Sequence, residues 1–163
     1  MNPHFRLLEK ARGELSPLGR KVVFVGGATI SLHIDDPAGR RVRATRDVDL
    51  VVEVSGRPEY YSLEKDLRAN GFAQQMLEDS PICRWTKDDL LVDVMPTDPE
   101  LIGFASSRWF ERGFHNARPY ELPSGVKIEA FDAVHLMAAK IELTRVLPSG
   151  VPRRGLSRVE TSG

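Results

Sequence analysis

Three aspartates in this 163-residue sequence are candidates for a catalytic or metal-binding role. Each lies in a segment predicted to form a β-strand. Asp47 and Asp49 alternate with apolar residues, and side chains two residues apart on a strand point to the same face. Asp93 lies within the apolar run 90–95, where an unpaired charge would be costly to bury. Carboxylates that meet in this way suit Mg²⁺ or Mn²⁺, which prefer oxygen ligands and leave positions for phosphate oxygens. The three aspartates are therefore candidate metal ligands and catalytic residues.

A pair of glycines, Gly26 and Gly27, separates the β-branched run 22–25 from a predicted helix at 28–34. A turn of this kind lets backbone N–H groups approach a phosphate closely, because glycine has no side chain. A lone Asp-x-Asp pair or a lone Gly-Gly pair is more often an exposed strand or an ordinary turn. Their combination and order along the chain indicate a metal-dependent phosphoryl-transfer site.

The rest of the sequence predicts the elements that must position these residues. Helical spacing of apolar residues predicts helices near 5–15, 58–70, 99–117 and 130–143. Short apolar or alternating runs predict strands at 22–25, 47–54, 72–77, 82–86 and 90–95, with a further extended pair within 119–128. We therefore predict an α/β (α+β) fold, with a short mixed twisted sheet of about five strands and helices packed mainly on one face.

Residues 1–143 are predicted to form one domain, and residues 144–163 an irregular tail. The tail is rich in proline, glycine, serine and arginine and has no periodicity, which is typical of disordered segments. The abrupt loss of periodicity after residue 143 also suggests the hypothesis of a truncated or frame-shifted end.

Composition narrows the function classes. The sequence has 23 basic and 23 acidic residues, so its formal net charge is zero and does not favour nucleic-acid or membrane binding. Its single cysteine, Cys83, excludes an internal disulfide and suits a reducing compartment. Because no signal sequence or membrane-spanning run is recognisable, we expect a cytoplasmic protein with no membrane partner.

The glycine turn, the acidic pair and the third acid occur in an order that resembles the nucleotidyltransferase fold of the DNA polymerase β superfamily. Within it, the chain is most similar to small bacterial nucleotidyltransferases of the AbiEii type, which include toxins of type IV toxin–antitoxin systems. The likeness covers about residues 22–142. The segments that carry it are Val-Gly-Gly-Ala-Thr at 25–29 with His33, Thr-Arg-Asp-Val-Asp-Leu at 45–50, Val-Asp-Val-Met-Pro at 92–96, and the helix that contains Lys140.

The resemblance implies a role for each candidate residue. Asp47 and Asp49 would hold Mg²⁺ or Mn²⁺, and Asp93 would complete the site and assist deprotonation of the acceptor. The residues implied to bind the nucleotide are Gly26, Gly27, Thr29 and Lys140. From the sequence alone, Lys140 is equally a helix-edge lysine whose ammonium group reaches water.

The implied activity is transfer of a nucleoside monophosphate from an NTP to a hydroxyl of RNA (a tRNA end), a protein or a small molecule. An antitoxin protein is a candidate partner. The alternative is a catalytically inactive domain of the same fold that serves as a binding or regulatory module. A third alternative is an unrelated α/β fold in which the acidic pair is merely exposed at the surface.

Overall fold

The computed structural model describes residues 2–35, 42–76, 82–102 and 107–146 of the chain. Within these residues seven strands form one sheet: β1 (Val22–Val25), β2 (Asp47–Val52), β3 (Ala73–Gln74), β4 (Arg84–Lys87), β5 (Leu90–Pro96), β6 (Arg118–Glu121) and β7 (Lys127–Ala130). The α-helices of the same residues are α1 (Pro3–Leu15), α2 (Arg57–Ala69), α3 (Trp109–His115) and α4 (Ala133–Val146). Short 3-10 helices cover Ser16–Leu18 and Gly27–Leu32.

The strand order is β3-β4-β5-β2-β1-β7-β6. The centre of the sheet is mixed, because β2 is antiparallel to β1 and parallel to β5. The hairpins β4–β5 and β6–β7 extend the sheet on either side, and β7 joins it by a parallel contact with β1. This order places β2 and β5, which carry the three aspartates, side by side in the middle of the sheet.

Helices cover both faces of the sheet. On one face, Leu8 of α1 and Leu63 of α2 pack with Val48 and Leu50 of β2 in a single buried cluster. On the other face, residues of α3 and α4 pack with β1 and with Val51 of β2. The alternation along β2 therefore places Asp47 and Asp49 on the α3–α4 face, while Val48 and Leu50 enter the opposite core.

The fold is α+β, as predicted, but two features of the predicted sheet are wrong. The sheet has seven strands in the described residues instead of about five, because the predicted extended pair within 119–128 forms a hairpin that joins β1. The helices are divided between the two faces instead of lying mainly on one. Each face of a central strand carries apolar side chains, so each face needs a covering layer.

Several element boundaries also differ from the predicted ones. The helix predicted at 99–117 begins only at Trp109 among the described residues, where the backbone N–H of Trp109 bonds to the Ser107 hydroxyl. Residues 99–102 form turns instead, and residues 103–106 lie outside the described part of the chain. Helix α4 runs to Val146, and the rest of the predicted tail, 147–163, also lies outside it.

A pair of helical glycines provides a test of core packing. A Cβ added at Gly113 in α3 would lie 2.3 Å from two ring carbons of Phe131, which is fully buried. We expect Gly113→Ala to lower the free energy of unfolding by about 1–3 kcal/mol, because overpacking exceeds the gain in helix propensity. Gly13→Ala in α1 is the matched control, since a Cβ there has nothing within 4 Å. Urea unfolding that shows equal stability changes for the two variants would contradict this packing.

Candidate active site

The three aspartates meet on one face of the sheet. Asp49 of β2 lies directly opposite Asp93 of β5 in the parallel pairing, and Asp47 lies two residues before Asp49 on the same face. Asp49 and Asp93 are buried, with exposed fractions of 5% and 3%. Asp47 is partly buried, so neither member of the acidic pair is fully exposed at the surface. We refer to Asp47, Asp49 and Asp93 as the aspartate cluster.

An arginine that was absent from the sequence-based site binds this cluster. Arg84 of β4 lies opposite Asp93 in the β4–β5 hairpin and is itself mostly buried. Its Nε and Nη2 donate to the two carboxylate oxygens of Asp93, each at 2.8 Å, and Nη2 also donates to Asp47 Oδ2 at 2.6 Å. The other oxygen of Asp47 accepts a hydrogen bond from the hydroxyl of Thr45.

The glycine turn closes over Asp49. Gly26 has φ +79° and ψ −160°, a conformation that is essentially restricted to glycine. The backbone N–H of Gly27 donates to the Asp49 carboxylate. A Cβ on Gly26 would lie 2.0 Å from Asp49 Oδ2, so only glycine permits this close approach. The predicted turn therefore shapes the site by holding a carboxylate in place.

The two other residues predicted to bind the nucleotide have different surroundings. Thr29 is fully buried, and its hydroxyl donates to the carbonyl oxygen of Gly26 at 2.8 Å. That bond stabilises the glycine turn, and a nucleotide contact by Thr29 stays a prediction. Lys140 of α4 is half-buried and lies close enough to Asp49 for the two charges to interact. A nucleotide contact by Lys140 also stays a prediction.

Burial dominates the electrostatics of the cluster. Burial raises the pKa of Asp49 well above its ordinary value, and the negative charges of Asp93 and Asp47 raise it further. Burial also raises the pKa of Asp93, although its hydrogen bonds from Arg84 act in the opposite direction. The pKa of Arg84 is raised by its hydrogen bonds to Asp93, and burial lowers the pKa of Lys140. Within the described residues, three carboxylates thus lie near two cationic side chains, so these five groups carry a net charge of −1 when all are ionised.

The carboxylates of the aspartate cluster are ligands that suit a divalent cation, but in this structure they are not arranged around a metal position. Among the described residues, no three His, Cys, Asp or Glu side chains are grouped as ligands of a metal ion. The Arg84 guanidinium bridges Asp47 and Asp93 instead. Buried carboxylates such as Asp49 and Asp93 are what a hard cation such as Mg²⁺ or Mn²⁺ would stabilise. The residues that would hold it are Asp47, Asp49 and Asp93.

Arg84 could be linked to the site from the sequence only by assuming how two strands pair. If Asp88 and Asp89 form a two-residue hairpin turn, then Lys87 pairs with Leu90 and Arg84 pairs with Asp93. The positive φ of Asp88, 53°, is consistent with such a turn. The signal is therefore a basic residue between the apolar Cys83 and Trp85, in register with a buried acid. Strand prediction without pairing does not detect it.

Other features of the described chain do not add to the site. Cys83 is buried, and burial raises the pKa of its thiol, so it is poorly suited to act as a nucleophile. A surface groove of about 190 Å³ lies near the start of β1, whereas the cluster lies beside its end. Of its four cations, Arg12, Arg20, Lys21 and Lys127, the last three are in ion pairs. No helix among residues 2–35, 42–76, 82–102 and 107–146 is long and apolar enough to cross a membrane.

Comparison with known protein families found none that matches this chain, and comparison with curated proteins found no relative.

Proposed function

We propose that this protein is a metal-dependent nucleotidyltransferase of the DNA polymerase β superfamily fold, which transfers a nucleoside monophosphate from an NTP to an acceptor hydroxyl. The observation that supports it best is the direct pairing of Asp49 with Asp93, with Asp47 on the same face and the glycine turn against Asp49. The proposal also accounts for Lys140, a cation close to a site that would receive a triphosphate.

In the proposed reaction, the acceptor oxygen forms a bond to the α-phosphorus while the bond from the α-phosphorus to the bridging oxygen breaks. Pyrophosphate leaves with that oxygen, and the proton of the acceptor hydroxyl passes to Asp93. When bound, Mg²⁺ would neutralise charge on the phosphates and make the acceptor hydroxyl more acidic. Asp47 and Asp49 would hold it, Asp93 would complete the site, and Lys140 would pair with a phosphate oxygen.

The acceptor classes in this proposal are a tRNA end, a protein hydroxyl and a small molecule, and an antitoxin protein is the proposed partner. A cytoplasmic location is part of the same proposal. The local cations Arg84 and Lys140 suit an anionic nucleotide, and the zero net charge gives no preference for RNA over other acceptors.

A second candidate function is a catalytically inactive domain that binds a partner. One observation favours it: the Arg84 guanidinium already pairs with Asp47 and Asp93, as in a purely structural ion-pair network. A structural network needs no divalent cation, so the two candidates differ in a measurable property.

The test is incubation with each of the four α-³²P-labelled NTPs and Mg²⁺, with tRNA and total protein supplied as acceptors. We expect the unaltered protein to label an acceptor and Asp47→Ala to label none. Asp89→Ala is the matched control, because Asp89 belongs to the exposed turn of the same β4–β5 hairpin. Equal labelling by the unaltered protein and Asp47→Ala, or none by either, would favour the inactive module.

A further inference from the structure

Arg84 forms ion pairs with two of the three members of the aspartate cluster. It contributes three hydrogen bonds to carboxylate oxygens, two to Asp93 and one to Asp47. Its side chain is only 11% exposed, so these bonds form in surroundings with little water. Charge-assisted hydrogen bonds of this bidentate kind are among the strongest in proteins.

These contacts engage the same oxygens that a divalent cation would need. Arg84 binds both oxygens of Asp93 and one oxygen of Asp47, and Thr45 binds the second oxygen of Asp47. A guanidinium and a divalent cation at these carboxylates would also repel each other strongly at such short range. The Arg84 guanidinium and a divalent cation therefore cannot bind these oxygens of Asp47 and Asp93 at the same time.

The remaining member of the cluster is arranged differently. Asp49 has no ion pair with Arg84, and it receives the Gly27 N–H while interacting with the charge of Lys140. Asp49 is thus the one carboxylate of the cluster that Arg84 does not bind. The cluster divides into one ligand without a guanidinium contact and two that Arg84 holds.

On these contacts, and resting on the proposed function, we propose that Arg84 is a positioning residue that serves as an internal counter-cation. It holds Asp47 and Asp93 in place while no divalent cation is bound, and it must release Asp47 when one binds. The cost of that release weakens the affinity of the site for the metal alone. An anionic nucleotide would give the released guanidinium a new partner, since arginine binds phosphate well.

The experiment is a Mn²⁺ titration of the whole chain, followed by the electron paramagnetic resonance signal of free Mn²⁺, without nucleotide. We expect Arg84→Met to bind Mn²⁺ about tenfold more tightly than the unaltered protein. The reason is that the hydrogen bonds from Arg84 to Asp47 and Asp93 no longer compete with the cation. In metal-free buffer the same variant should unfold at a lower temperature, since Asp47 and Asp93 lose their main partner. Saturating Mn²⁺ should raise its unfolding temperature more than it raises that of the unaltered protein.

Arg20→Met is the matched control, because Arg20 makes a comparable two-nitrogen contact with Asp66 away from the cluster. It should lose stability but keep its Mn²⁺ affinity. If Arg84→Met does not fold, Arg84→Lys carries the test: lysine keeps the charge without the bidentate geometry, so about two- to fivefold tighter binding is expected.

The outcomes separate the two proposals. Unchanged or weaker Mn²⁺ binding by the folded Arg84 variants, with binding lost in Asp49→Asn, would overturn the role of Arg84 and leave the metal site standing. Equal Mn²⁺ binding by Asp49→Asn and the unaltered protein, or no binding by any variant, would overturn the metal site and the proposed function together.

Discussion

Asp49→Asn is expected to lower nucleotidyl transfer by a factor on the order of 10³ and, in metal-free buffer, to raise the stability of the protein. The loss of transfer follows because the variant removes the one carboxylate of the cluster that Arg84 does not hold. A charge contact that contributes several kcal/mol to a transition state corresponds to a rate factor of this size.

The gain in stability follows from the pKa of Asp49. Burial and the neighbouring carboxylates raise that pKa above its unfolded value, so the folded state binds a proton that the unfolded state has already released. The free energy of unfolding therefore falls as the pH rises from the unfolded pKa of Asp49 towards its folded pKa, and the loss is still present at neutral pH. Asparagine removes the ionisable group and still accepts the Gly27 N–H, so we expect a gain of about 1–2 kcal/mol.

The measurements are labelled-NTP transfer and thermal unfolding at neutral pH without divalent cations. Asp66→Asn is the control, since Asp66 pairs with Arg20 at a distant and more exposed position. It should leave transfer unchanged and give no gain in stability. A less stable Asp49→Asn, or one that retains full transfer, would contradict the assignment of Asp49 as a buried metal ligand.

Gly26→Ala is expected to damage both the fold and the site. The alanine Cβ would lie 2.0 Å from Asp49 Oδ2 and 2.7 Å from its Cγ, so Asp49 would have to move. The backbone conformation at Gly26 adds strain for any residue with a Cβ. Together these effects should lower the free energy of unfolding by about 2–5 kcal/mol and remove transfer activity.

Gly19→Ala separates the two contributions, because Gly19 also has a positive φ, +63°, but a Cβ there has nothing within 4 Å. It should cost only about 1–2 kcal/mol, the penalty of the left-handed conformation, and should keep transfer activity. Urea unfolding and Mn²⁺ titration of the two variants provide the comparison. If both lose the same stability and both keep Mn²⁺ affinity, the close approach of Gly26 to Asp49 is not required.

The sequence alone predicted the parts of the site that depend on local geometry. The two-residue period of a strand placed Asp47 and Asp49 on one face, with Val48 and Leu50 in the opposite core, and the burial pattern agrees. The glycine pair predicted a turn, and the turn lies against Asp49. These predictions succeed because side-chain direction and backbone freedom are properties of a few consecutive residues.

Only the tertiary structure decided how distant segments pair. The parallel register of Asp49 with Asp93, the reach of Arg84 across Asp93 to Asp47, and the contact of β7 with β1 all join residues far apart in the chain. Strand pairing depends on lateral hydrogen bonds and on the packing of both faces, which short-range patterns do not encode. The aspartates were therefore visible in the sequence, whereas the arginine that neutralises two of them became visible only when the strands were placed side by side.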